Sequence, residues 1–341
     1  MAIITIVGSG VMGSAMAWPA SDNGHTVRLV GTPLDREIID AAQKTGRHIK
    51  LDRTLPKNVT AYQVEQLEEA MAGADLIIGG VSSFGVPWFE ENVLPKVPDG
   101  GIVLSITKGL EMQEDGTLLP FPEAMGRRQG GRISLNAVGG PCMCYELCDH
   151  RDTVVAFCGK DMETLKRLKK LLETDTYHIC PTEDVPGVEC AVAMKNGFAL
   201  GVALAIGEKE AKGEPCLNPE SALYTQGTRE TLKLIRLMGG DEEAICYFSG
   251  DLYITVQAGR SRRLGVLLGK GLTYTQAREQ LAGVTLESAA VDMLVAEALR
   301  RMAKDGRTDL ADFPLLMHID ELLHETNTLN LPWKAMSATE K

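Results

Sequence analysis

Lys195 is the residue whose surroundings most clearly suggest chemistry. It stands with Asn196 in the middle of a largely apolar run that covers residues 188–206. Burial in a medium of low dielectric favours the neutral amine and can lower the pKa of a lysine by about 3–5 units. Such an amine can exchange a proton with a substrate near pH 7. The other interpretation is a lysine whose stem lies along apolar surface while its ammonium reaches water.

A glycine-rich turn lies near the start of the chain, between the apolar segment at residues 3–7 and a segment with helical character. Its first glycine permits a tight turn, its second lets a pyrophosphate approach the backbone, and its third allows a helix to pack closely on a strand. Amide groups at the start of that helix would face the anion. We therefore predict a site for NAD or NADP. The predicted cofactor-binding residues of this turn are Gly8, Ser9, Gly10, Val11, Met12 and Gly13.

The choice between the two nicotinamide cofactors normally depends on the end of the second strand, where an acidic side chain holds the ribose hydroxyls. Asp35 is the only acid at that place, in residues 30–36, and Arg36 beside it could bind a 2′-phosphate instead. Each is also explained as a solvated charge in a loop. The sequence leaves the cofactor preference open.

Composition limits the classes of partner. The 341 residues are more than a single core usually accommodates, so we expect two domains. A formal net charge of -11 opposes broad binding to nucleic acid or anionic membrane. Neither a secretory leader nor an uncharged span of about 18 apolar residues is evident, which predicts a soluble, cytoplasmic protein. The expected partners are a small phosphorylated molecule and a second copy of the chain in a homodimer.

Eight cysteines in a chain of this kind predict reduced thiols. Cys142, Cys144 and Cys148 lie close to His150 and could be taken for a metal site. No second pair of ligands with zinc-like spacing follows them. We therefore predict no metal, and the role of this cysteine cluster stays open.

The elements that must position these residues change in character along the chain. The first half alternates β-branched apolar runs with helical patterns, which is typical of crossover units on a parallel sheet. The second half is dominated by helical patterns. This predicts an α/β Rossmann-type domain over residues 1–183 and an all-α domain over residues 184–341. The helix that carries Lys195 should begin near Asp184, with Pro186 in its first turn. Predicted strands cover residues 3–7, 26–30, 76–79, 101–105, 134–137, 153–157 and 177–180.

Further motifs follow the glycine turn in a fixed order. Ser105-Ile-Thr-Lys108-Gly109 follows a predicted strand, and Gly139-Gly140-Pro141 comes next. Lys195-Asn196 is followed by Gly250-Asp251-Leu-Tyr-Ile-Thr255 and a basic cluster that begins at Arg260. This ordered set resembles the NAD(P)-dependent glycerol 3-phosphate dehydrogenases through most of the chain.

The resemblance implies a role for each matching residue. Lys195 is implied as the proton acceptor, Lys108 lies beside cofactor and substrate, and the Arg260 guanidinium binds the substrate phosphate. A planar guanidinium suits that last role because it can donate two parallel hydrogen bonds. Asp251 could orient Lys195, although a carboxylate also favours the charged ammonium. The implied catalytic residues are Lys195, Lys108 and Asp251. Lys108 and Arg260 are added to the cofactor set. The implied substrate residues are Lys108, Gly140, Lys195, Asn196, Asp251, Thr255, Arg260 and Ser261.

Departures from the family pattern concentrate at the substrate end. Ser261 replaces a usual asparagine, Gln226 replaces an arginine, and two hydroxyls are lost around Pro141. Hydride transfer between sn-glycerol 3-phosphate and dihydroxyacetone phosphate is the implied reaction, and a larger polyol phosphate stays open. Two other hypotheses are a dehydrogenase of a small hydroxy acid, as in ketopantoate-type enzymes, and a nucleotide-sensing module without chemistry.

Overall fold

The computed structural model describes residues 1–215 and 217–337. The strands are β1 (Ile3–Val7), β2 (Thr26–Val30), β3 (Arg47–His48), β4 (Arg53–Thr54), β5 (Val59–Tyr62), β6 (Leu76–Gly79), β7 (Ile102–Ser105), β8 (Leu110–Met112), β9 (Leu118–Pro120), β10 (Ser134–Gly139), β11 (Thr153–Cys158) and β12 (Tyr177–Thr182). The helices are α1 (Val11–Ala15), α2 (Ala17–Asp22), α3 (Arg36–Thr45), α4 (Leu67–Met71), α5 (Val86–Asn92), α6 (Phe121–Arg128), α7 (Cys144–Cys148), α8 (Met162–Leu172), α9 (Val185–Lys212), α10 (Leu217–Leu237), α11 (Ile245–Gln257), α12 (Arg260–Gly269), α13 (Tyr274–Gln280), α14 (Glu287–Lys304), α15 (Pro314–Leu323) and α16 (Trp333–Met336).

The chain divides into two compact units. The first consists of residues 1–108 and 121–185, and the second of residues 109–120 and 186–341. Residues 109–120 are predicted as part of the first domain, whereas they contain the hairpin β8–β9 and belong to the second unit. The hairpin is held there by the Arg301 guanidinium, which donates to the Glu114 carbonyl at 3.2 Å. A short apolar hairpin gives no local signal for the unit that it joins.

The first unit is built on an eight-stranded sheet in the order β12-β11-β10-β7-β6-β1-β2-β5. Successive side chains of a strand point to opposite faces, so Ile6 and Ile78 belong to the core on one face while Ile77 and Val103 belong to the core on the other. Strands β6 and β7 are buried along their whole length. Such continuous apolar runs are typical of a parallel sheet covered on both faces.

The Rossmann-type parallel sheet and the helical second part are both confirmed. The seven predicted strands are present in the sheet, and three of them have the predicted bounds, namely β1, β2 and β6. Strand β5 and the small hairpin β3–β4 were not expected. One pair, β10 with β11, is antiparallel, whereas its neighbours in the sheet pair in parallel. Hydrophobic runs locate strands but do not encode their direction.

In the second unit the core helix is α9, which begins within one residue of the predicted start and has Pro186 in its first turn. It is long and apolar enough to cross a membrane. However, 89% of its most apolar 18-residue segment is buried inside the protein, as in the core helix of a globular domain. The polar stretch that begins at Gly207 continues this helix to Lys212. An ion pair one turn apart supports that end, because Lys212 Nζ lies 2.8 Å from Glu208 Oε1.

Candidate active site

The glycine turn after β1 has the backbone geometry that a dinucleotide needs. Gly8 has φ +110°, and a Cβ there would lie 2.6 Å from the Gly80 carbonyl. A Cβ on Gly13 would lie 2.3 Å from the Gly8 oxygen, so the helix packs directly on the turn. At Gly10 the nearest atom to an added Cβ is 4.0 Å away. Glycine is therefore required by internal packing at Gly8 and Gly13, whereas Gly10 borders open space, as the close approach of a pyrophosphate requires.

The charged residues after β2 behave differently from one another. Asp35 is buried and accepts hydrogen bonds at Oδ2 from the Ser9 and Thr32 amides and from the Thr32 hydroxyl. Arg36 lies at the surface in an ion pair with Glu65. The explanation as a solvated loop charge therefore fails for Asp35, whose carboxylate holds the glycine turn against the loop after β2.

Lys108 lies just beyond the carboxyl end of β7, the edge at which open parallel sheets bind ligands. Its side chain is half-buried, and Nζ lies 3.4 Å from the Gly140 carbonyl oxygen. Gly140 follows β10 with φ +116°, a conformation that favours glycine. The structure thus brings together two residues that the sequence analysis assigned to the substrate site.

Lys195 and Asp251 meet in the second unit across helices α9 and α11. Lys195 Nζ lies 2.6 Å from Asp251 Oδ1, and the two side chains are 15% and 1% exposed. A charged pair shielded from water in this way attracts more strongly than a surface pair. Lys195 is therefore not a lone buried amine, because a carboxylate orients it and favours its charged form.

The remaining predicted substrate residues lie on the same helices or next to them. The Thr255 hydroxyl donates to the Asp251 carbonyl at 2.6 Å, one turn earlier in α11. Asn196 is half-buried beside Lys195 on α9. Arg260 begins α12, and its guanidinium lies 3.0 Å from Glu287 Oε2 with half of the side chain exposed. Ser261 follows it and is buried. Glu287 was not anticipated, since nothing in the spacing pairs a residue at the start of α14 with the basic cluster.

Sequence reasoning also missed a buried carboxyl group behind the lysine segment. Asp292 of α14 is fully buried, and a Cβ added to Gly197 would lie 1.8 Å from its Oδ1. Burial raises the pKa of Asp292 well above its usual value, and the Asp320 and Glu230 charges add to the effect. Its buried position therefore favours the neutral form of this carboxyl over the charged one.

Glu230 supports the same unit from α10. Its two carboxylate oxygens accept hydrogen bonds from the Leu315 and Leu316 amides at 2.8 and 2.9 Å, which stabilises the start of α15. The Gln226 side-chain amide donates to Glu230 Oε1 at 2.8 Å. Gln226, which stands where the family pattern has arginine, therefore takes part in the buried contacts of this unit. Burial raises the pKa of Glu230 to about 7 despite these donors.

The cysteine cluster has no metal-binding geometry in the part of the chain that the structure describes, where no group of three or more suitable ligands is placed for a metal ion. Burial raises the pKa of the Cys148 thiol to about 12. His150 instead pairs with Asp22, with Nε2 and Oδ2 2.9 Å apart. The cluster acts as packing between α7 and the sheet core.

Comparisons with known proteins agree with these features. Residues 3–165 match the family model of the NAD-dependent glycerol-3-phosphate dehydrogenase N-terminus, and residues 184–332 match that of its C-terminus. An NADP(+)-dependent glycerol-3-phosphate dehydrogenase of Archaeoglobus fulgidus is 34% identical over 282 residues, which cover 82% of this chain and 83% of that protein. A glycerol-3-phosphate dehydrogenase (NAD(P)+) of Alcanivorax borkumensis is 31% identical over 299 residues, with coverage of 86% and 83%.

A solved structure supports the fold independently. The glycerol-3-phosphate dehydrogenase of Coxiella burnetii superposes with a TM-score of 0.80 at 23% identity and covers 98% of this chain and 97% of its own. The two family models together cover nearly the whole chain and include the glycine turn, Lys195 and Asp251. The chain belongs to the NAD-dependent glycerol-3-phosphate dehydrogenase family.

Proposed function

We propose that this protein interconverts sn-glycerol 3-phosphate and dihydroxyacetone phosphate, with NAD or NADP as the hydride carrier. The observation that carries the proposal is the shielded pair of Lys195 and Asp251, with Nζ and Oδ1 2.6 Å apart. An oriented ammonium is the group that a ketone needs when it is reduced to an alcohol, because negative charge develops on its oxygen. The relatives named above support the choice of substrate.

The proposed mechanism assigns a proton transfer to Lys195. The glycine turn at residues 8–13 would hold the pyrophosphate of the cofactor, and the nicotinamide would supply hydride transfer in either direction. As hydride reaches the carbonyl carbon, the Lys195 ammonium donates a proton from Nζ to the carbonyl oxygen. In the oxidative direction the Lys195 amine accepts the hydroxyl proton as the C–H bond breaks. Asp251 holds Nζ in place, and the Thr255 hydrogen bond ties Asp251 to the next turn of α11.

Arg260 is the proposed phosphate ligand. Its guanidinium is half-exposed and is held in place by Glu287, so it can donate its remaining hydrogen bonds to an anion. Ser261 and Asn196 are further proposed donors to the substrate, and Lys108 is proposed to lie beside cofactor and substrate. Binding the end of the substrate that does not react would orient the carbinol carbon for hydride transfer.

We further propose that the protein prefers NADP. A carboxylate that selects ribose hydroxyls must present its oxygens to the ligand, but Asp35 is buried and its Oδ2 already accepts from three donors. Arg36, next to it, is exposed and pairs with Glu65, and its guanidinium has further N–H donors for a 2′-phosphate. The Archaeoglobus fulgidus relative is named as NADP(+)-dependent. Arg36→Ala should weaken NADPH binding about tenfold and leave NADH binding within about twofold, as measured by fluorescence titration.

The direct test of function uses Lys195→Ala, with Lys212→Ala as the control. Lys212 lies on the same helix but at the surface, where it pairs with Glu208. We expect Lys195→Ala to lower turnover of dihydroxyacetone phosphate by about 100-fold or more with cofactor affinity nearly intact, and the control to behave as wild type. Retained turnover in Lys195→Ala would remove this residue from the mechanism.

A substrate panel with the wild-type protein tests the other hypotheses. Preferential reduction of 2-keto acids would favour the hydroxy-acid hypothesis, since an arginine cluster can also bind a carboxylate. Tight cofactor binding without turnover of any phosphorylated or carboxylated ketone would favour the sensor hypothesis. Cytoplasmic location and assembly as a homodimer stay predictions, and gel filtration with light scattering tests the second.

A further inference from the structure

The backbone N–H and C=O of Ser9 in the glycine turn are each held by a buried side chain from another part of the first unit. The Ser9 N–H donates to Asp35 Oδ2 at 3.3 Å, and His48 Nε2 lies 2.9 Å from the Ser9 carbonyl oxygen. Ser9 and His48 are both 0% exposed. The Ser9 hydroxyl has no hydrogen-bond partner within residues 1–215 and 217–337. The turn is therefore held through its backbone and not through this side chain.

The second contact of the imidazole fixes which of its nitrogens carries the proton. His48 Nδ1 lies 2.9 Å from the Leu51 backbone nitrogen. An amide nitrogen only donates, so Nδ1 accepts and must lack a proton. The proton of the neutral ring is then on Nε2, which donates it to the Ser9 carbonyl. The short hairpin β3–β4 places His48 in this position, and Leu51 is itself fully buried in its loop.

Asp35 is fixed in a comparable way. The Thr32 amide and hydroxyl donate to its Oδ2 at 2.9 and 2.7 Å, and these bonds orient the carboxylate toward the Ser9 amide. Asp35 also precedes α3 directly, so the start of that helix holds its backbone. Both hydrogen-bond partners of the Ser9 backbone are thus supported by contacts of their own.

We propose that Asp35 and His48 are positioning residues for the cofactor, which preset the two peptide units on either side of Ser9 so that the turn fits a pyrophosphate before it binds. Rotation of either unit would move the backbone between Gly8, where an added Cβ would lie 2.6 Å from the Gly80 carbonyl, and Gly10, which borders open space. A preset site loses less conformational freedom on binding than a mobile one. The inference rests on dinucleotide binding and is independent of the substrate.

The test uses two substitutions, each of which keeps one of the two hydrogen-bonding groups of the imidazole. His48→Gln can place an amide N–H near the former Nε2 and donate to Ser9. His48→Asn can place an oxygen near the former Nδ1 and accept from Leu51, but it does not reach Ser9. Arg47→Ala serves as the control on the same hairpin, because that side chain is exposed and pairs with Asp52 at 2.5 Å.

The measurement is the Kd of NADPH from fluorescence titration of the intact protein without substrate. We expect His48→Asn to raise Kd about threefold to tenfold, and His48→Gln and Arg47→Ala to stay within about twofold of wild type. Asp35→Ala should raise Kd by a similar factor, and Asp35→Asn, which keeps an acceptor oxygen, should restore most of the affinity. Equal Kd values for His48→Asn and His48→Gln would overturn the proposal.

A pH series separates positioning from a purely structural role. Burial lowers the pKa of His48 below that of a free imidazole, although the hydrogen bond to Ser9 and the Asp35 charge raise it, and the Lys50 charge lowers it further. Protonation of Nδ1 removes the acceptor of the Leu51 amide, so NADPH binding to wild type should weaken in acid below the usual imidazole range. The same weakening in His48→Gln would overturn the proposal. So would an unchanged Kd in His48→Asn accompanied by a lower melting temperature, since that result assigns His48 to stability alone.

Discussion

Gly197 lies two residues after Lys195 and packs against Asp292, which makes Gly197→Ala a sharp perturbation of the helix that carries the lysine. An added Cβ would lie 1.8 Å from Asp292 Oδ1, 2.7 Å from its Cγ and 3.0 Å from its Oδ2. An ordinary contact needs about 3.4 Å, so the Asp292 carboxyl or one of the two helices must move by more than an ångström. Asp292 is fully buried, so its carboxyl would have to move within a packed core.

The expected loss of stability follows from two opposing effects. Overpacking of a dense core costs roughly 1–3 kcal/mol, and an overlap this deep belongs at the upper end. Alanine in place of glycine inside a helix stabilises the folded state by about 1 kcal/mol. We therefore expect Gly197→Ala to lower the free energy of unfolding by about 2 kcal/mol.

Gly126→Ala is the matched control. Gly126 is also helical, in α6, but a Cβ there would meet nothing closer than Leu135 Cδ1 at 3.8 Å. This substitution should be neutral or stabilise the protein by up to about 1 kcal/mol. The comparison separates the clash at Asp292 from the general effect of a helical glycine.

The assay is urea unfolding followed by circular dichroism, with separate transitions fitted where the two units unfold apart. Asp292→Ala should rescue Gly197→Ala, because it removes the atoms that overlap. The coupling free energy between the two sites should be about 2–3 kcal/mol. The reasoning is refuted if Gly197→Ala is as stable as Gly126→Ala, or if Asp292→Ala fails to rescue it.

Three further predictions concern the site and its support. Asp251→Asn should lower kcat about 10- to 100-fold in steady-state assays and leave the Kd of NADPH unchanged, because it weakens the orientation of Lys195 only. Arg260→Ala should raise KM for dihydroxyacetone phosphate about tenfold or more through loss of charge-assisted hydrogen bonds, while KM for an uncharged ketone should stay constant. Burial raises the pKa of Glu230 from 4.5 to about 7, so its neutral form favours the folded state below pH 4.5 and this contribution is lost as the pH rises through 7. Urea unfolding at about pH 5 and about pH 8 should show a decrease of roughly 2–3 kcal/mol that is absent in Glu230→Gln.

Local patterns predicted much of the first unit. Strands such as β1 and β6 were located to the residue because buried parallel strands read as short apolar runs bounded by glycine and polar residues. The direction of β11 and the presence of β5 escaped prediction, since strand pairing depends on neighbours that are distant in the chain. The hairpin β8–β9 was assigned to the wrong unit for the same reason.

The candidate site divides in a similar way. Lys195 was singled out because a charged residue inside an apolar helix is costly to bury, and Asp251 entered through the ordered motifs of a family. Their contact spans 56 positions, so the sequence alone could suggest it but not measure it. The burial of Asp35, the pairing of Arg260 with Glu287 and the position of His48 beside Ser9 had no signal in the spacing of residues.

The sequence by itself determined the class of sheet, the glycine turn, the central helix and the types of residue available for proton transfer. These features depend on interactions within a few residues, such as backbone freedom at glycine and the period of apolar side chains. The tertiary structure alone decided which partner each charged residue meets and whether water reaches it. Electrostatic energy depends on distance and dielectric environment, and both are set by the packing of segments far apart in the chain.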